Sequence, residues 1–534
     1  MPPKKKLKSQ ISDHGSRSIF LFDKLSKLSS FTIIVGLVSV FVVVVFQHRN
    51  HEIFQFIQKS LFDIVDVPTR SSLVLDGLLH LESKGNIRHN ATIAIGLGAC
   101  TDLVVDSLDI FGNFPAPNNA KPHEQIESIN HLLELFAYYF KHGAASERYI
   151  KSKYVFNELL QLIKKSQHSW HENIGGNAPL MSKRFASEGI ENIILGAQVS
   201  TQFAKKLPNN IQISGPLIQK DDYHILLEYK AGQQWGPYKS PRSNRLIVHS
   251  DDNNAKLVAK DKFFEQINNQ GRQPDLLIIS GLQMLDNSPV DINVRSQLIG
   301  TLAEQLNAEI DPQTKIHFEL ASYTENALLS TIVDQIFPYC HSFGMNEQEV
   351  ANLLTFLKNG NISLVSSPFP RIAQVLDQIR QLFPLLRSIT NGRLSRIHVH
   401  TLAYQVVVTV QQKPNSTISW HQNEHAMAKA SLTAYRHTCG TERVDLQKAR
   451  ILLDESFTTS INKSAPYRRR IYFKPNDPVA CWNEYSSQWN NDNDEQDSAA
   501  KVQICLSIGL ICTNVVQTGG AGDNVSAGGL VMQL

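Results

Sequence analysis

The residues best suited to chemistry stand near the C-terminus. There Gln517-Thr518-Gly519-Gly520-Ala521-Gly522-Asp523 follows the apolar run Ile504 to Val516 and leads into a small-residue, helix-like segment. A Gly-rich turn between strand and helix lets backbone N–H groups approach an anion closely, and the helix start adds partial positive charge. Gly519, Gly520, Ala521 and Gly522 are therefore candidates for holding phosphate oxygens. Asp523 is the candidate to take a proton from a hydroxyl attacking that phosphate. The plainer alternative is a strand-to-helix turn with Asp523 as its cap.

Four more polar constellations sit at the ends of apolar runs. Asp102 ends the run Ile93 to Thr101, and Gly175-Gly176-Asn177 opens a helix-like stretch. His317-Phe318-Glu319 closes a strand-like segment, and Asn346-Glu347-Gln348-Glu349 begins a helix after Cys340-His341-Ser342-Phe343-Gly344. Open α/β sheets build ligand sites from polar residues at the carboxyl ends of their strands.

The elements that must position these residues alternate along the chain. The patterning predicts strands at 92–98, 192–197, 224–229, 275–280, 316–320, 362–366, 397–409 and 503–513. It predicts helices at 124–141, 151–166, 177–187, 256–268, 294–307, 346–358, 370–387, 423–435 and 523–533. Such alternation specifies a three-layer α/β fold with a mainly parallel sheet. The polar, acidic stretch from Ser487 to Ala499 reads as a surface loop.

Taken with their order and spacing, these residues make the chain from about residue 90 onward resemble the ADP-dependent glucokinases of the ribokinase-like sugar kinases, the eukaryotic form above all. Its anchors are Gly-Ala-Ala-Ser-Glu (143–147), Gly-Gly-Asn-Ala (175–178), His-Ile-Leu-Leu-Glu-Tyr (224–229) and Ser-Asn-Arg (243–245). They continue with His-Phe-Glu-Leu-Ala-Ser (317–322), Gly-Met-Asn-Glu-Gln-Glu (344–349), Arg-Ile-His-Val-His-Thr-Leu (396–402) and Gly-Ala-Gly-Asp (520–523).

The resemblance implies a large nucleotide-carrying domain and a smaller lid, built from segments within about 100–260, that closes over a sugar and excludes water. It implies sugar contacts from Asp102, Glu147, Gly176, Asn177 and His224. Mg²⁺ or Mn²⁺ would be handled by Glu319, Asn346 and Glu349 through water, and the nucleotide phosphates by Arg245; His400 aligns near the adenine pocket of relatives. The reaction implied is phosphoryl transfer from ADP to the 6-hydroxyl of glucose, with Asp523 as base. The local motifs are shared with ATP-dependent relatives and with phosphofructokinases, and a non-catalytic binder of the same fold is a further alternative. One departure stands out: Gly98 occupies a position where relatives carry Asn.

Local alternatives exist for individual residues. Asp102 reads also as a strand-end cap, Glu147 as an exposed helix-start carboxylate beside Arg148, and His224 as an ordinary strand histidine. Asn346 and Glu349 match a capping box, a role compatible with metal handling. Arg245 reads also as a surface arginine, and Arg468-Arg469-Arg470 as a solvated loop.

Composition fits one large folded domain: 534 residues with 42% hydrophobic content and a net charge of +3. The first thirty residues carry seven Lys or Arg against two Asp, leaving the remainder at −2, which argues against nucleic-acid binding. Residues 1–27 read as a basic cytosolic tail and 28–46, free of charge, as a transmembrane signal anchor. A connector at 47–85 and a kinase domain at 86–534 follow. The basic flank places the domain in the lumen, with the endoplasmic reticulum membrane as its site and a monomer as its state. Sequons at Asn90, Asn361, Asn415 and Asn462 fit that orientation, whereas one at Asn524 is expected to stay unused beside Asp523. The six cysteines lack zinc spacing, and one or two disulfides would suit an oxidising lumen.

Overall fold

Apolar runs flanked by turn residues become strands because both of their faces are covered. In the computed structural model, Thr92–Gly96 alternates Ile93 and Ile95 into one buried cluster with Ala94 into the other, and Leu276–Ile279 does the same. Double-sided burial is what a parallel strand between two helical layers demands. The described residues are 67–168, 170–367, 369–411, 416, 418–452, 476–489 and 500–534. The tail, the anchor at 28–46, the sequons at Asn415 and Asn462, Arg468 to Arg470 and most of the 487–499 stretch lie outside them.

Ten strands form the central sheet. Seven of them, Arg396–His400, Ser342–Asn346, Lys315–Glu319, Leu276–Ile279, Thr92–Gly96, Asn192–Gly196 and Ile211–Ser214, run parallel in that spatial order. Tyr404–Val410, Lys501–Ile508 and Val479–Tyr485 extend one edge antiparallel. A second, five-stranded sheet runs in the order Ser146–Tyr149, Asn244–His249, Tyr223–Tyr229, Cys100–Asp106, Trp170–Gly175, and has its own aromatic core around Phe111, Phe136, Phe140 and Trp235. The chain leaves the large sheet after Gly96, enters the small one at Cys100 and returns through Gly175.

Several expectations need correction. The segment 397–409 is two antiparallel strands, not one. The Thr401 hydroxyl accepts from the N–H groups of Ala403 and Tyr404 and turns the chain there, a local bond that an unbroken apolar run conceals. The run 503–513 breaks at Gly509 into Lys501–Ile508 and Leu510–Cys512. The expected strand at 362–366 is irregular. The N–H groups of Ile362 and Ser363 donate to Asn326 and Asn352 of neighbouring helices instead of to a strand. Residues 67–84, read as connector, form a helix within the compact unit Val67–Leu534. Its Glu82 pairs with Arg436 and Lys429 of the helix Asn423–Cys439.

Candidate active site

A cavity of about 660 Å³ opens between the two sheets, and every site residue expected from the sequence except Gly519 lines it. Its small-domain wall is built on four adjacent strands. Asp102 does not end a run; it sits inside the strand Cys100–Asp106, directly beside His224 on Tyr223–Tyr229. Glycine is required at 175, opposite Cys100, since a Cβ there would fall 1.9 Å from Asp102 Oδ1. Burial raises the Asp102 carboxyl to about 7, a charge cost that His224 partly offsets.

Glu147 lies on the strand Ser146–Tyr149, not at a helix start, and Arg148 turns away to the carbonyls of His123 and Glu124. The Glu147 carboxylate instead faces His224 Nδ1 at 3.5 Å. On its other nitrogen, His224 Nε2 lies 3.0 Å from Asp251 Oδ1, and the His249 ring stacks on it at 4.4 Å. Burial disfavours a charged imidazole, but Asp251 and Glu147 outweigh it and hold His224 well above its ordinary pKa; Asp251 is correspondingly held low.

The opposite wall carries the reactive group. Asp523 stands in the first turn of the helix Ala521–Val531, which follows Gly520 at φ +68°, a left-handed conformation glycine adopts without penalty. Burial and the charge of Glu319 raise the Asp523 carboxyl to about 7, while a hydrogen bond from Asn177 Nδ2 at 2.8 Å pulls the other way. Gly176, at φ +86°, brings Asn177 to the start of its helix. The expected anion turn is narrower than the sequence suggested. Gly519 N–H donates to Glu228 Oε1 at 3.0 Å and Ala521 N–H to Thr518 O at 3.3 Å, leaving Gly520, Gly522 and Asp523 as the helix-start amides that face the cavity end.

At the third corner Glu319 is 2% exposed and fully engaged. His317 Nε2 and the Ser526 hydroxyl bind Oε2, and His400 Nε2 binds Oε1 at 2.9 Å. These bonds hold its pKa well below the usual carboxylate range despite burial. His400 therefore packs under the phosphate turn, where its ring lies 2.9 Å from the point a Gly522 Cβ would occupy. Asn346 and Glu349 form the capping box of the helix Glu347–Asn359, and burial lifts Glu349 to about 7. Because the oxygens of Glu319 and Glu349 already accept protein hydrogen bonds, these groups suit a hydrated Mg²⁺ whose waters they would touch, the usual manner of holding that ion. Arg245 points from the strand Asn244–His249 toward the same space, and its buried Nε has no hydrogen-bond partner among the described residues.

Sequence reasoning missed Gln283, Asp251, His249 and Glu228. Gln283 and Asp251 follow the strands Leu276–Ile279 and Asn244–His249 by a few residues, so the same strand-end rule that picked out Glu319 applies to them. Glu228 lies within the anchor at 224–229, but nothing local marks its role, because its partners lie some 290 residues away. Asn524 is buried, with its amide donated to Gly520 O, so no glycan fits there.

Comparison with known proteins agrees with this geometry. A family model described as the ADP-specific phosphofructokinase/glucokinase conserved region matches residues 91–532. The Bos taurus ADP-dependent glucokinase is 30% identical over 447 residues, 82% of this chain and 83% of that protein. A probable ADP-dependent glucokinase of Caenorhabditis elegans is 27% identical, covering 82% of this chain and 84% of its own. Among solved structures, an ADP-dependent kinase in complex with fructose-6-phosphate and ADPbetaS matches with a TM-score of 0.56 at 18% identity, covering 88% of this chain and 98% of that one. A hypothetical ADP-dependent phosphofructokinase from Pyrococcus horikoshii OT3 matches with a TM-score of 0.51 at 18% identity, covering 84% and 98%. These two establish the ribokinase-like α/β fold. With a conserved region matched across most of its length and that region's motifs gathered around one cavity, the chain belongs to the ADP-specific phosphofructokinase/glucokinase family.

Proposed function

We propose that the protein transfers the terminal phosphoryl group of ADP to the 6-hydroxyl of glucose, releasing AMP and glucose 6-phosphate. The observation that carries this reading is Asp523: a buried carboxyl raised to about 7, at a helix start, facing the same cavity as the sugar-side Asp102. A base with a pKa near the working pH combines a large deprotonated fraction with useful proton affinity. Asp523 takes the hydroxyl proton as the new O–P bond forms and the bond between the phosphoryl group and AMP breaks. The amides of Gly520 and Gly522 and the Arg245 guanidinium face the charge that develops on the transferred group. Asp102, Glu147, Gly176, Asn177 and His224 hold the sugar. Mg²⁺, bound through water to Glu319, Asn346 and Glu349, would neutralise charge on the nucleotide phosphates.

Two further parts of the reading concern where the chain works. The apolar stretch Leu28 to Phe46 anchors the chain in the endoplasmic reticulum membrane with the kinase domain lumenal, as a monomer. The disulfides Cys439–Cys512 and Cys481–Cys505 favour an oxidising surrounding. Among the described residues no helix is long and apolar enough to cross a membrane, and the anchor segment lies outside them.

The experiment is to supply the purified chain with Mg²⁺ and glucose and compare AMP release from ADP with ADP release from ATP. Fructose 6-phosphate serves as the competing acceptor. AMP formed stoichiometrically with glucose 6-phosphate supports the reading. Turnover with ATP alone, or with fructose 6-phosphate alone, moves it to the corresponding relative, and no turnover in folded protein makes this a binder.

A further inference from the structure

The side chain of Gln283 stands one residue removed from the proposed base. It follows the strand Leu276–Ile279 in the 3-10 turn Leu282–Leu285, is 4% exposed and lines the cavity. Its Nε2 donates to Asn177 Oδ1 at 2.7 Å, and Asn177 Nδ2 donates to Asp523 Oδ1 at 2.8 Å. The polarity of this chain is dictated from one end. An ionised carboxylate only accepts, so Asn177 must present its NH₂ to Asp523 and its carbonyl to Gln283, and Gln283 must answer with its own NH₂.

We infer that Gln283 is a positioning residue for the phosphoryl-transfer step, locking the Asn177 amide in the orientation that donates to Asp523 and thereby keeping the base ionised and aimed. The inference rests on Asp523 being the base. The alternative, a glutamine that merely fills space, leaves two features unexplained. Its donor is spent on the side chain that hydrogen-bonds Asp523, and its Oε1 is buried with no hydrogen-bond partner among the described residues. A purely structural glutamine would satisfy both ends in the core.

The other groups acting on Asp523 are Glu319, which raises its pKa, and His400 and Arg245, which lower it; Asp102 faces it across the cavity. Arg184, on the same helix as Asn177, is engaged by Asn524 and Glu188. Gln283→Glu adds a negative charge of its own near Asp523, so it is in Gln283→Met, which adds none, that a shift in the base's titration reports on the Asn177 bond alone.

The test compares wild type with two near-isosteric variants, Gln283→Glu and Gln283→Met, through pH profiles of kcat/KM. In Gln283→Glu the introduced carboxylate competes for the Asn177 NH₂ and turns the carbonyl toward Asp523. That disfavours the ionised base, so the acid limb moves up by about 1 pH unit and kcat at neutral pH falls about tenfold or more. Gln283→Met, which removes the donor without a competitor, moves both less. An unmoved acid limb in both variants, with melting temperature retained, overturns the inference, as does a kcat lowered equally at every pH. A wild type that forms no AMP from ADP and glucose overturns the functional reading instead. In that case a crystal structure of the Gln283→Glu variant decides the positioning claim, which stands if the Asn177 amide has turned and falls if it has not.

Discussion

Glu228 of the small domain accepts two hydrogen bonds from Thr518 of the large one, 2.7 Å from the N–H and 2.8 Å from the hydroxyl, and a third comes from Gly519 N–H. A residue of the small sheet thus grips the turn that precedes the helix Ala521–Val531. Two other bridges span the cleft: Arg242 to Glu347 at 2.7 Å, and a reciprocal pair between Gln348 and the backbone of Ala145. We therefore expect any closing movement of the small sheet to be coupled to the shape of this turn.

Removing the grip should expose this coupling. Hydrogen bonds to a charged acceptor contribute about 1.5–3 kcal/mol each at most, and Glu228→Ala also leaves two backbone amides unpaired. We expect kcat/KM for both substrates to fall about tenfold or more, with Glu228→Gln, which keeps an acceptor oxygen, losing roughly threefold. Steady-state kinetics with each substrate varied in turn checks this. A loss confined to one substrate would separate the turn from the lid.

The base assignment makes its own demand. Asp523→Asn keeps the size of the side chain and removes its basicity, so kcat should drop about 10²–10⁴-fold while glucose affinity, read by calorimetry, stays close to wild type. In the wild type the carboxyl is raised to about 7 and acts only when ionised, so activity should fall as pH drops through that value. Near-normal turnover in the variant would falsify the role.

His224 offers a pH test on the sugar side. Asp251 and Glu147 hold its pKa above the ordinary value, so the ring remains charged through neutral pH and adds no pH dependence to glucose binding there beyond that of Asp102, whose carboxyl is raised to about 7. Asp251→Asn removes the largest favourable partner, and the titration should slide down into the neutral range. Glucose affinity would then weaken with rising pH across about 6 to 8, the window of an unperturbed histidine. Calorimetry at three pH values is sufficient, and a profile in the variant that does not differ from wild type would show that His224 does not meet the sugar as a cation. The sign for stability follows the same shift: the contribution of a raised histidine is complete below its unfolded pKa and is lost as pH rises through the folded one.

How much of this was legible in the sequence depends on how local the cause was. The turn at Gly519 to Asp523 and the helix at Asn177 could be read because glycine, a strand end and a helix start are all local signals. The small sheet was largely invisible. Its strands Ser146–Tyr149, Trp170–Gly175 and Asn244–His249 are short and partly polar, and are strands only because Tyr223–Tyr229 and Cys100–Asp106 lie between them. Asp102 was consequently placed at a strand end when it is inside a strand. Glu228 and Gln283 act through partners distant in sequence, and no window of residues contains both members of either pair.

The sharpest consequence of that small sheet concerns Gly175. It faces Cys100 across the antiparallel pair, and the space a side chain would need is filled by the Asp102 carboxylate, 1.9 Å away, and by Cys100 Sγ, 2.8 Å away. Asp102 cannot yield cheaply, since it is buried between neighbouring strands and any shift moves it off the sugar-facing wall. Gly175→Ala should therefore weaken glucose binding by about 100-fold or more, in line with a buried charged group losing its place, about 3 kcal/mol. Nucleotide binding, for which we propose Arg245 and residues of the opposite wall, should change by less than roughly threefold. Calorimetry with glucose and with AMP separates the two, and equal losses for both ligands would mean that the substitution disturbs the fold and not the Asp102 carboxylate alone.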